Sequence, residues 1–488
     1  MAEMGSALPE LGEVYAAEAQ QEKGCPEWKV SGIFSSQMVL QHGRPITVHG
    51  WCAHPGAVVE GEWDGQTARG KVLADGSWAL TFPPHAPSFE PTVMTLRSEY
   101  GADVFDDVLV GDVWLIGGQS NADLPLSPCL VETPEIERTI SGEHPFRLFR
   151  QTQVDAAEYA LHHDAPAEDI IKPEWRWQRP DREAALPFSA LGYYFARLAA
   201  PKVGLPLGLV MAAAGGACLR ELMPEGLAKE LGYMSGANVP LAGYYNALLA
   251  PLVGMQFRGQ IFFQGESEGC WRETSLCYAR DLEAYVADER RRFGFDFPFY
   301  NVQLSSYRQE GAEFFKYVLW VRPQQLDARE LIANSYLAVD RDLGSRPGDP
   351  DWAHSPLKYA LAERVAAQVL ANEYGIGDPE AAEAPSPAGW EDTDGGVLVR
   401  FAHTNGGLKT ADGGAVKGFA LVYEDADGVP GEPADAEIVR PDAVLVRTKD
   451  DRRPARVQYA VLPIAGISEA NLVGGTGLPA FSAEMRRA

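Results

Sequence analysis

Apolar and polar positions change their rhythm twice along the chain. Between residues 30 and 108 they alternate with period 2 in short stretches, at 46–51, 57–63 and 77–82, cut by Asp64-Gly65, Asp75-Gly76 and Pro83-Pro84. Such stretches predict antiparallel strands joined by turns, a small β-sandwich. At Asp112-Val113-Trp114-Leu115-Ile116 the alternation gives way to a continuous apolar run. Similar runs recur at 207–211, 259–263, 299–304 and 335–339, with helical periodicity between them at 188–199 and 278–293. Buried strands alternating with helices predict a parallel sheet flanked by helices, an α/β unit. A last helix at 357–374, ending before Gly375, closes it. The segment 379–389, rich in Pro, Ala and Glu, predicts a linker, and strand-like pieces return at 396–401, 418–423 and 456–461. The expected organisation is an extension over 1–29, a β-sandwich over 30–108, a catalytic α/β unit over 109–376 and a C-terminal β-sandwich-like unit over 377–488.

Composition narrows the partners. The 42 basic against 68 acidic residues, a net charge of −26, repel phosphate backbones and anionic lipid, so neither nucleic acid nor membrane is an expected partner. The same excess opposes an anionic sugar unless a local Arg overrides it. Six scattered cysteines without a CxxC pair predict buried free thiols rather than a zinc or redox site. The first 24 residues lack the basic start and apolar run of an export signal, and the apolar stretch at 207–219 is too short to span a bilayer. A cytoplasmic protein is expected, with the oligomeric state open to a homo-oligomer.

Catalytic groups of α/β sheets collect at the carboxyl ends of strands. Gly117-Gly118-Gln119-Ser120-Asn121 follows the first buried run, and its glycines permit a sharp turn that sets Ser120 at a helix start. Alone, this reads first as a capping serine on an ordinary strand-to-helix turn. Asp351-Trp352-Ala353-His354 lies on a loop before the last helix, where a carboxylate three residues before a histidine can hold the ring and leave its other nitrogen for a serine proton. A DxxH pair is also half a metal site, but no HExxH or other ligand cluster accompanies it, and neither metal nor cofactor is expected. Gly215-Gly216 and Gln264-Gly265-Glu266-Ser267 follow two further strands. Gly216 N–H and the Gln264 amide are candidate donors to an oxyanion beside Ser120 N–H, while Glu266, a carboxylate, is assigned to orienting substrate. Gly118-Gln119-Ser120-Asn121-Ala122 is not the GxSxG elbow of α/β-hydrolases.

Four blocks in order carry a resemblance: Ile33 through Gln41, Gly111 through Asn121, Tyr245 through Leu252 with Gln264 to Ser267, and Asp342-Leu343-Gly344 with Asp351 to His354, Lys358 and Arg364. Over nearly the whole chain after Val30 the sequence resembles the sialate O-acetylesterase family of the SGNH hydrolases. The resemblance implies a Ser120–His354–Asp351 triad and a small O-acetylated sugar as substrate, with Gln119, Asn121 and Glu266 in contact with it. For a sialic acid, Arg220, Arg272 and Arg322 are candidates to hold the carboxylate. Acetylated xylan or another glycan is the alternative substrate, and a non-catalytic carbohydrate-binding protein the alternative class. The chain departs from the family at Ala217 and Leu222, positions implied to line the acyl or sugar pocket, and at Ala122 and Ser355.

Overall fold

The computed structural model describes residues 25–140, 143–151, 165–349, 351–450 and 452–486. Residues 1–24 of the expected extension lie outside the described residues.

The organising element is one strand, β1 (Gly101–Gly118), alternately exposed in its first half and buried without interruption from Val108. Its first half pairs antiparallel with Ser88–Ser98, which continues through Val58–Trp63 to Gln66–Lys71. A second sheet, Lys29–Val30, Ile46–Trp51 and Ser77–Phe82, shares a core with it through Val48, Leu80, Phe82, Trp63 and Leu96. The second half of β1 is the centre of the parallel sheet. The border expected at 108/109 therefore falls inside a strand: the change of rhythm marks where β1 loses its solvent face, not where the chain leaves one unit for another.

The remaining strands of the parallel sheet are β2 (Phe146–Gln151), β3 (Leu207–Ala213), β4 (Gly259–Phe263), β5 (Phe299–Gln303) and β6 (Ser335–Val339). Their order is β2-β3-β1-β4-β5-β6, with the short strand Trp177–Gln178 antiparallel on β2. The chain leaves β1 to one side and returns to the other, so the ends of β3, β1 and β4 border the crevice where such sheets bind ligands. Helices α1 (Ala190–Val203), α2 (Arg272–Phe293), α3 (Val318–Leu331) and α4 (Lys358–Tyr374) cover the sheet in two pairs, α1 with α4 and α2 with α3. Ser189 caps α1 by accepting the Gly192 N–H at 3.1 Å. Among the described residues no helix is long and apolar enough to cross a membrane.

The segment expected as a linker is a short helix, Pro379–Ala382, followed by a strand, Ser386–Thr393. That strand pairs with Gly396–Ala402 in a four-stranded sheet, and a second four-stranded sheet packs on it through Val399, Phe401, Leu421 and Tyr459. Two buried guanidiniums fasten this β unit to the α/β unit. Arg341 donates to the carbonyls of Ala480, Ala465 and Ala470 at 2.8, 3.1 and 2.7 Å, and Arg322 to Leu462 at 2.9 Å. Burial of an arginine is tolerable only when its donors are satisfied in this way. Of the six cysteines, all free, Cys52, Cys129 and Cys218 are buried, whereas Cys25 is exposed and Cys270 and Cys277 are half-buried, so the burial expected of them holds for three.

Inside α2, Glu289 is buried against Tyr285, whose hydroxyl donates to it at 2.7 Å. Desolvation pushes its carboxyl from 4.5 up to about 8, against the lowering effect of the Tyr285 hydrogen bond. The folded-state value lies above the unfolded one, so its contribution to stability is full below 4.5 and is lost as pH rises through about 8. Glu289→Gln should thus melt a few degrees above wild type at about pH 8.5 and level with it at about pH 5. Equal differences at both pH values in thermal melts would assign the effect to packing instead.

Candidate active site

The strand-to-helix turn after β1 demands glycine. Gly118 has φ +124°, and a Cβ there would lie 2.1 Å from the Phe263 carbonyl oxygen. Gln119 N–H donates to that same carbonyl at 3.0 Å, which ties the turn to the end of β4. Ser120 then opens the short helix Ser120–Asp123, where a first-turn N–H has no partner within the helix. After β3, Gly216 takes φ +74°; its carbonyl accepts from Ser267 Oγ at 2.8 Å and Asn238 Nδ2 at 2.6 Å, while its N–H has no partner among the described residues.

A cleft of about 720 Å³ opens over these turns and is lined by Gln119, Ser120, Asn121, Gly216, Glu266 and the whole of Asp351 to His354. Its size is that of a small-ligand site. His354 Nδ1 lies 2.6 Å from Asp351 Oδ2, and the Ala353 N–H donates to Asp351 Oδ1 at 2.7 Å. Partial burial works to raise the Asp351 carboxyl, but the hydrogen bonds from His354 and Ala353 outweigh it and hold it below the usual carboxylate range. With Nδ1 engaged, Nε2 is the nitrogen left for the cleft. Ser120 Oγ and His354 share the cleft without a direct hydrogen bond; such contacts tighten when substrate enters. The neighbouring acids are occupied elsewhere: Asp342 forms a bidentate pair with Arg364 at 2.7 and 2.6 Å, and Asp349 accepts the Arg346 N–H at 2.7 Å.

Asn121 joins the two halves. Its amide donates to Glu266 Oε1 at 2.7 Å and to the Ala353 carbonyl at 3.2 Å, so the Ser120 turn and the His354 loop are held together. Glu266 is buried, its Oε2 has no partner among the described residues, and desolvation raises its carboxyl above the ordinary range.

Several expected roles change. Gln264 is fully buried behind the cleft, and its amide is spent on the Ala217 carbonyl at 3.0 Å, on Gln119 Oε1 at 3.3 Å and on Glu268. It has no donor left for an oxyanion. Gln119 is the reverse case. Its Oε1 accepts from Gln264, from Gly265 N–H at 3.2 Å and from Ser267 N–H at 3.3 Å, which fixes the amide and leaves Nε2, at the cleft, without a partner among the described residues. Ala217 and Leu222 are buried away from the cleft and do not line it. Arg322 is spent on the Leu304, Ser305 and Leu462 carbonyls, and Arg272 is exposed and donates to the Asp427 carbonyl at 2.6 Å, so neither reaches the cleft. Arg220 is buried behind Trp271, its guanidinium carbon 5.2 Å from that ring's centroid. The sequence reading missed the cleft's aromatic wall of Trp271, Phe314, Phe315 and Trp352. Of these, only Trp271 and Trp352 adjoin a motif.

A serine at the carboxyl end of the central strand of a parallel sheet, in one cleft with an Asp-paired histidine on the loop before α4, is the architecture of an SGNH-type carboxylic ester hydrolase. Residues 110–367 match the family model described as "Carbohydrate esterase, sialic acid-specific acetylesterase", and the chain belongs to that family. It is 24% identical to the sialate O-acetylesterase of Homo sapiens over 386 residues, 71% of either chain. It is 23% identical to that of Mus musculus over 413 residues, 71% of this chain and 74% of the other. A solved carbohydrate acetylesterase from Xanthomonas citri superposes with a TM-score of 0.79 at 25% identity, covering 94% of this chain and 100% of that one.

Proposed function

We propose that the protein is a serine O-acetylesterase that removes acetyl groups from sugars, sialic acids among them as in its curated relatives. The observation that carries the reading is the single cleft shared by Ser120 and the Asp351-held His354. In the first half-reaction the Ser120 hydroxyl proton passes to His354 Nε2 as Oγ bonds to the acetyl carbonyl carbon. The resulting oxyanion accepts from Ser120 N–H, Gly216 N–H and the free Nε2 of Gln119, which takes the place first assigned to Gln264. Collapse breaks the bond to the sugar oxygen, which takes the proton from His354. Water, deprotonated by the same imidazole, then attacks the acetyl-serine and releases acetate. Asp351 keeps the imidazole oriented and balances its charge in both halves. Asn121 and Glu266 set the distance between the two turns.

Hydrolysis of p-nitrophenyl acetate, and acetate release from O-acetylated sugars, tests the reading; a protein that binds such sugars and cleaves none would be the binding-protein alternative. Gln119→Glu separates the two amide assignments. The variant keeps the acceptor for Gly265 and Ser267 but loses the donor at the cleft, so kcat should fall about 10²- to 10³-fold with KM little changed. Unaltered kcat in steady-state assays would remove Gln119 from the oxyanion site.

A further inference from the structure

Resting on the esterase reading, the cleft's walls bear on which part of the sugar it reads. Apolar side chains exposed singly are ordinary on a protein surface, whereas large rings gathered in one cleft form a surface that a ligand can cover. At this cleft Trp271 is 42% and Phe314 61% exposed. Both are held rather than loose. The Trp271 ring rests on Arg220, which is itself 8% exposed and has Tyr233 at 5.3 Å from its guanidinium carbon. A cation on one face of the indole leaves the remaining surface for the cleft. Phe314 lies 5.0 Å from Phe315 and 5.7 Å from Trp352, centroid to centroid. Trp352 stands between Asp351 and Ala353, so this wall is anchored to the loop that carries His354.

Charge on the same surface runs one way. Among the described residues lining the cleft none is Lys or Arg, whereas Glu266 and Asp351 both belong to it. Arg220, the nearest of the guanidiniums first considered, lies behind Trp271 beside the buried Glu268 and Asp281, whose carboxyls burial raises and its charge partly offsets. A sugar carboxylate entering the cleft would meet Glu266 and Asp351 and no lysine or arginine, while the C–H face of a pyranose would meet two exposed rings.

We infer that the enzyme grips the leaving sugar by its apolar ring face, on Trp271 and Phe314, and does not read a sugar carboxylate. Its substrate class is O-acetylated pyranosides at large, neutral ones included, with the carboxylate of a sialic acid left in solvent. The test compares an acetylated methyl glucoside, an O-acetylated sialic acid and p-nitrophenyl acetate on wild type, Trp271→Ala, Phe314→Ala and Arg220→Met, each checked for folding by thermal melting. The aromatic variants should raise KM for both sugars about tenfold, the loss of a ring contact. Wild-type kcat/KM for the neutral sugar should equal or exceed that for the sialic acid, and Arg220→Met should affect both sugars alike. Unchanged sugar KM in both aromatic variants would overturn the inference. So would a sialic acid preference above about tenfold that Arg220→Met abolishes, since Arg220 would then be its carboxylate anchor. A wild type inert toward all three esters would remove the esterase reading itself, a separate failure.

Discussion

Replacing Ser120 by alanine should leave a folded protein that cleaves p-nitrophenyl acetate about 10⁴- to 10⁶-fold more slowly than wild type. The size follows from what the change removes. Ser120 Oγ takes part in no hydrogen bond among the described residues, and the side chain lines an open cleft, so its loss creates neither a cavity nor an orphaned partner. Unfolding is therefore not the route to inactivity, and the melting temperature should stay within a degree or two of wild type. The backbone N–H groups of Ser120 and Gly216 remain, as does Gln119, so the variant should still bind sugar and lose only kcat. Retention of more than a few per cent of wild-type kcat would move the nucleophile to another group. Ser267, whose hydroxyl is held by the Gly216 carbonyl at 2.8 Å, would be the first to examine.

The parts of this molecule that were legible in the sequence are those where one local pattern has one structural meaning. The apolar runs at 259–263 and 335–339 are strands β4 and β6 without adjustment, because β4 throughout, and β6 from Leu337 to Val339, are buried and carry mainly apolar residues there. Strand β2 was not legible for the converse reason. Its sequence, Phe146-Arg147-Leu148-Phe149-Arg150-Gln151, reads as half-solvated, yet Arg147 is buried with its guanidinium 3.4 Å from Asp107, a carboxylate 40 positions away. An arginine buried against a distant carboxylate hides a strand from any reading of single positions. The border at 108/109 failed similarly, since one strand serving two sheets carries both rhythms.

At the site, motif spacing was enough to bring Ser120, Asp351 and His354 to attention, but not to say which amide donors face the cleft. Gln264 and Gln119 are chemically the same group. What separates them is the carbonyl of Ala217 and the carboxylate of Glu268, which absorb the donors of one, and the N–H groups of Gly265 and Ser267, which orient the other. None of these contacts follows from residue type. The aromatic wall is assembled from positions 271, 314–315 and 352, which follow β4, β5 and β6 on three separate connections. No spacing along the chain relates them.

His354→Ala should reduce kcat as severely as Ser120→Ala, about 10⁴- to 10⁶-fold, because serine and imidazole act as one unit and either loss disables both proton transfers. Asp351→Asn should cost less, about 10²- to 10⁴-fold. An asparagine in that place still accepts the Ala353 N–H through its oxygen, but then presents an amide donor to His354 Nδ1, 2.6 Å away in wild type, and so favours the wrong tautomer. The carboxylate is also 44% exposed, so water can take over part of its role. With Asp351 held below the usual carboxylate range by its hydrogen bonds, wild-type kcat/KM measured across pH should show no loss from protonation of that carboxyl until the pH falls below this range. An unchanged kcat in Asp351→Asn would mean that Asp351 does not serve His354, and Glu266, buried at the same cleft with an oxygen that has no partner among the described residues, would be the acid to substitute next.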